Sequence, residues 1–263
     1  MDRTLEWSIA RRFRACRARN SGRNRTQDHR YNAGRDGHQT RKSMITLALE
    51  FSGNIRSAAI LSANGDSAAK ILGEAADAGD RNVRPLALIQ NALGVAGLKR
   101  GEISEIVVGL GPGSYTGIRA AISIAQGWQL ATGLKLQGVG SADAIAFQLQ
   151  QRGLRDKVRI AIDAQRGEFY VTLLNIFPNT IAIIEAMNLK SREQLDSLLG
   201  DQCGLFGPGL SAKFQSAHDV EPAASAIGQL AVTRSNFLPG ELLEPIYLRA
   251  TTFVKAPPPR FMP

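Results

Sequence analysis

"VRIAIDAQRGEFYVTLLN" occupies residues 158–175, and "ITLALEFSGNIRSAAIL" occupies residues 45–61. Each is an apolar run that ends in an acid (Asp163 or Glu50), then a short polar turn, then a second apolar run. In the later stretch Phe169, Val171 and Leu173 alternate with Tyr170, Thr172 and Leu174, the period of a strand. Each stretch reads as a β-hairpin, and the two together as a weak internal repeat. Two copies of one α/β unit leave such a trace. Any two hairpins share much of this plan, so both origins stand at this level.

Between the two hairpins the text alternates helix and strand. "RPLALIQNALGVAGL" has helical spacing, with Pro85 at its start and Gly97 near its end. "EISEIVVGL" reads as a buried strand, "LKLQGVG" as a short one, and "SADAIAFQLQQRG" as a helix with Ser141 as N-cap. Residues 66–84 are Ala/Asp/Gly-rich and weakly patterned. After the second hairpin, "CGLFGPGL" reads as a strand, followed by short helices, with His218 in a helix–loop region.

The net charge of +9 is unevenly placed. Residues 1–43 carry twelve Lys/Arg against four Asp/Glu, a net +8, so the remainder is close to neutral. A near-neutral body lacks the charge excess of a nucleic-acid binder. The first 43 residues are too poor in apolar side chains to offset their ordering entropy. They are expected to form a disordered Arg-rich extension: a start placed upstream of Met44, a basic tail for RNA or acidic partners, or a targeting leader. Cys16 and Cys203 have no ligand or disulfide spacing, which fits a reducing cytoplasm. No apolar run of about 18 residues appears, so no membrane span is expected.

"GLGPGSYTGIRAAISIAQG" (109–127) carries the candidate sites. A P-loop needs a lysine after its last glycine, and Ile118 and Arg119 follow Gly117 instead. A dinucleotide fingerprint needs a third glycine where Ser114 or Thr116 stands. The strand–loop–helix setting still aims backbone N–H groups at whatever lies before the helix. Gly111, Gly113, Ser114, Thr116 and Gly117, with Asp163 across a cleft, therefore form a candidate anion or nucleotide loop. Equally, the glycines permit a tight crossover against close-packed backbone. The helix that follows is apolar over more than half its circumference. One stripe is Gly117, Ala120, Ile124, Gly127 and Ala131; the next is Ile118, Ala121, Ala125 and Trp128, with Ile122 beside it. A helix with one neighbour needs an apolar face of only somewhat over 100°. One stripe is expected on the sheet and the other on a partner, and the partner side is assigned to Ile118, Ala121, Ile122, Ala125 and Trp128.

A catalytic set is hard to assemble. No H-E-x-x-H, C-x-x-C or G-x-S-x-G occurs. Glu50 and Asp163 could hold a metal–phosphate pair between two lobes, but Phe51 puts a bulky ring beside the first of them.

These residues resemble one family. "GLGPGSYTGIRAAISIAQG", "AIDAQRGEFYV" and "EPIYLR" are similar to the three signatures of the TsaB (YeaZ) proteins, in order and spacing from Met44 to about Arg249. The resemblance implies an α/β chain of two tandem RNase H-like lobes of the actin/Hsp70/sugar-kinase type. It implies residues 44–150 as the first lobe, 151–255 as a smaller second one, and 256–263 as a Pro-rich tail. It implies a cytoplasmic, non-catalytic subunit for making threonylcarbamoyladenosine beside the tRNA anticodon. That subunit would pair with a TsaD-like catalytic subunit and a TsaE-like ATPase, meeting tRNA through the complex, with a homodimer as the alternative state. No cofactor of its own is implied, ATP belonging to the complex interface. The paralogue's H-x-x-x-H metal pair falls on Ser141 and Ile145, which cannot replace imidazole. Two departures stand out: Glu50-Phe51-Ser52 replaces D-T-[AS], and "NVRPLAL" lacks a histidine. The rival reading is an ATP-dependent kinase or hydrolase of the same fold, using Asp163 and the glycine loop.

Overall fold

The computed structural model describes residues 43–63, 69–78, 84–199, 203–234 and 236–248. The expected basic extension, Ser43 apart, and the Pro-rich tail lie outside the described residues. The chain runs β1 (Met44–Glu50), β2 (Ile55–Ala63), β3 (Lys70–Ala78), α1 (Pro85–Ala96), β4 (Glu105–Gly109), α2 (Tyr115–Thr132), β5 (Lys135–Val139) and α3 (Ser141–Gln151). It continues β6 (Lys157–Asp163), β7 (Glu168–Ile176), β8 (Ile181–Ser191), α4 (Arg192–Ser197), β9 (Gly204–Gly207), β10 (Ala217–Asp219) and α5 (Ala224–Val232).

Two five-stranded sheets result, ordered β3-β2-β1-β4-β5 and β10-β9-β6-β7-β8. Counted from its own first strand, each sheet has the order three, two, one, four, five. In each, the first three strands are antiparallel and the last two run parallel to the first. The hairpin echo is therefore a duplication of a whole mixed sheet, the tandem RNase H-like plan.

Burial follows the strand period. Ile45, Leu47, Leu49 and Phe51 point to one face of the first sheet, where Leu88, Ile89 and Leu93 of α1 and Ile118 of α2 meet them. Ala48, Leu61 and Val107 point to the other face, where Ile227 and Ala231 of α5 meet them. Ile227 is fully buried, and such a side chain contributes about 1.5–3 kcal/mol. The helix that closes the second repeat thus covers the first sheet. Ile145 and Leu149 of α3 pack on Val158, Ile160 and Ile162 of the second sheet, and α3 also touches α5. Glu221 ties the halves further: it accepts from Asn54 N at 3.0 Å and from Asn54 Nδ2 at 3.1 Å.

Three details differ from expectation. β3 lies where the sequence shows little pattern; it is a sheet edge, as is β8, and the outward sides of both mix polar and apolar residues. His218 stands on β10, stacked on Phe206 with ring centroids 5.1 Å apart. Ser141 does not cap α3, whose N-cap is Gly140; the Ser141 hydroxyl is spent on Glu50. No helix among the described residues is long and apolar enough to cross a membrane.

Candidate functional site

The glycine loop lies directly on the turn after β1. Ser114 N donates to Ser52 O at 2.8 Å, and Ser141 N donates to Gly111 O at 2.8 Å. Gly113 has φ +150, and a Cβ there would stand 2.9 Å from Ser52 Cβ. A Cβ on Gly117 would stand 3.0 Å from the Phe51 carbonyl carbon and 3.2 Å from Ser114 Oγ. Only glycine allows this approach of backbone to backbone. Ser114 caps α2, its Oγ accepting from Gly117 N at 3.3 Å, while Thr116 is exposed in the first turn. The crossover role of these glycines is what the packing displays.

Glu50 ends β1 inside this packing and is fully buried. Its Oε1 accepts from Ser52 N at 2.8 Å, and its Oε2 accepts from Ser141 Oγ at 3.1 Å. The Ser52 and Ser141 hydroxyls share a further bond of 2.7 Å. Burial pushes the carboxyl above its ordinary value; the Ser52 and Ser141 bonds pull it partly back, and the charge of Glu221 raises it again. A carboxyl so enclosed faces no cleft, which corrects the idea that it could share a metal–phosphate pair with Asp163. Asp163 has its own company. Its Oδ1 accepts from Gln165 N at 2.7 Å, and its Oδ2 is ion-paired with Lys213. Among the described residues no three His, Cys, Asp or Glu side chains are grouped to hold a metal.

The partner face of α2 needs the clearest correction. Ile118, Ala121, Ile122 and Ala125, assigned to a partner, are buried in the first sheet's own core. Trp128 is half-buried at the edge of that core. Of the other stripe, Gly117 is buried and Ile124 packs partly against the same core, Ala120 is half-buried, and Gly127 and Ala131, with Ser123 and Leu130 beside them, are exposed. Leu130 is 91% exposed, and a Cβ on Gly127 would meet nothing within 4 Å. Both stripes are small and apolar, so the sequence marks two faces without saying which one the sheet takes. Burial of Ala121 and Ala125 also means that a charge placed there breaks the core rather than a contact.

Comparison with known proteins agrees with this architecture. A duplicated mixed sheet with helices between the copies defines a two-lobed RNase H-like protein. Residues 79–228 match the family model described as TsaD: tRNA N6-adenosine threonylcarbamoyltransferase. The chain belongs to that family, within its TsaB (YeaZ) group. It is similar to the tRNA threonylcarbamoyladenosine biosynthesis protein TsaB of Escherichia coli, 37% identical over 87 residues, covering 33% of this chain and 38% of that protein. The Bacillus subtilis protein of the same name is 28% identical over 94 residues, covering 36% of this chain and 40% of its own length. The chain thus spans about two fifths of the length of these curated relatives in the aligned region. The solved structure of YeaZ from Pseudomonas aeruginosa shares the fold, with a TM-score of 0.63 and 22% identity over 78% of this chain and 100% of that one.

Proposed function

We propose that this chain is a non-catalytic scaffold subunit in tRNA threonylcarbamoyladenosine synthesis, binding a TsaD-like catalytic subunit through the outward stripe of α2. The observation that carries the reading is the exposed ridge of Ser123, Gly127 and Leu130, flanked by half-buried Ala120, on a helix already satisfied by its own sheet. Small residues let a second helix come close, and Leu130 supplies an apolar anchor at roughly 25 cal/mol per Å² removed from water. On this reading a TsaE-like ATPase joins the pair, tRNA is met through the complex, ATP is met at the subunit interface, and the chain holds no cofactor. When the partner is scarce, the same ridge serves a homodimer.

The test is co-elution with the TsaD-like subunit in gel filtration. Leu130→Glu and Gly127→Glu are expected to abolish it while leaving the circular dichroism unchanged. Undiminished co-elution of both variants sinks the proposal. The kinase reading has less support: Asp163 is paired with Lys213, and Glu50 is sealed behind Ser52 and Ser141.

A further inference from the structure

Tyr115 opens α2, and Tyr247 lies in the C-terminal segment that crosses it. Their rings stack with centroids 5.4 Å apart and planes at 27°. Arg119 Nη1 donates to the Tyr115 hydroxyl at 3.0 Å, and its guanidinium carbon lies 5.2 Å from that ring's centroid. The segment is seated by Ile246 N donating to Leu110 O at 2.9 Å and by Gln126 Nε2 donating to Gly240 O at 2.9 Å. The pair is not a core feature: Tyr115 is 58% exposed and Tyr247 43% exposed. Each ring hides one face on the other and keeps much of its surface in water. Among the described residues this is the exposed place where two aromatic planes and a guanidinium converge.

Planar faces of this kind accept a nucleobase, since every base has a π-face and arginine adds cation–π attraction. The segment that carries Tyr247 bears exposed Glu241 and Glu244, and the sequence after it, residues 249–263, bears Arg249, Lys255 and Arg260 and no acid. That basic charge suits a phosphate backbone and repels a basic protein surface.

We infer that Tyr115 and Tyr247, steadied by Arg119, form a stacking platform for an unpaired RNA base. The inference rests on the tRNA reading for its substrate class and goes beyond it, since that reading brings tRNA only through the complex and this one gives the chain an RNA contact of its own.

The test uses the full chain without any catalytic subunit, so a failed heterodimer leaves it standing. A short single-stranded RNA carrying 2-aminopurine is titrated, because stacking quenches that base. The native chain, Tyr115→Phe and Tyr247→Phe are expected to quench it alike. Tyr115→Ala is expected to lose the quenching and to weaken binding by about tenfold or more. That ratio should hold from about 0.1 M to about 0.5 M salt, whereas a contact to phosphate alone fades as screening grows. Equal quenching by native and Tyr115→Ala proteins, or its absence with the native chain, overturns the proposal. A Tyr115→Ala variant that still quenches and, in separate gel filtration, no longer co-elutes with the TsaD-like subunit overturns it too, since the rings would then belong to a protein contact.

Discussion

Glu50 sits among neutral partners, its two oxygens taken by Ser52 N and the Ser141 hydroxyl. Its ordinary value is 4.5, and burial raises it in the folded chain. The unfolded chain therefore releases this proton first as pH rises, and the folded state binds more protons. Stability tied to Glu50 is fully present below about pH 4.5 and is lost as pH climbs through the raised folded value. Glu50→Gln keeps the shape and has no proton to lose. Its melting temperature should gain on that of the native chain as pH rises above about 4.5; curves that stay parallel would contradict the burial effect. At Gly113 and Gly117 the limit is space. Alanine at either should cost roughly 2–4 kcal/mol, read from the midpoint of denaturant unfolding, because Ser52 and Phe51 backbone atoms cannot retreat. The glycines were plain in the sequence, but the atoms they approach were not, since Phe51 and Ser52 lie some sixty residues away along the chain.

α2 shows what helical spacing can and cannot decide. The 3–4 pattern marks the helix, which ends at Thr132 with Gly133 as C-cap. It also separates two apolar stripes. Their assignment depends on the sheet: Phe51 and Val108 share a core cluster with Ile118, Ala121 and Ala125, and no local signal in 115–132 names those partners. Ala121→Glu should therefore unfold the protein, costing roughly 3 kcal/mol or more, as burying an unpaired charge does. A soluble, cooperatively melting Ala121→Glu protein would contradict this packing. At the helix start, Ser114→Ala should cost about 1 kcal/mol by removing the cap to Gly117 N, with no change in heterodimer formation. Edge strands escaped the sequence for a related reason. β8 carries Ile183 and Ile184 outward, 55% and 46% exposed, so its alternation does not follow burial.

Across the whole molecule the duplicated sheets were legible, because β1–β2 and β6–β7 repeat one pattern of strand, acid and turn. How the copies share their helices was not. α5 ends the second repeat and covers Ala48, Leu61 and Val107 of the first, a pairing that spans most of the chain. A fragment of residues 44–150 leaves that face open and should be insoluble or unfolded. Adding a peptide of residues 221–234 should recover native-like circular dichroism, and a fragment that folds alone would refute the shared-helix reading. The placement of α5 also bears on synthesis by the ribosome. A nascent chain cannot finish its first lobe until residue 232 has left the exit tunnel. The first lobe therefore waits, with one flank bare, while the whole second sheet is translated ahead of α5, and that interval is when a chaperone would have most to hold.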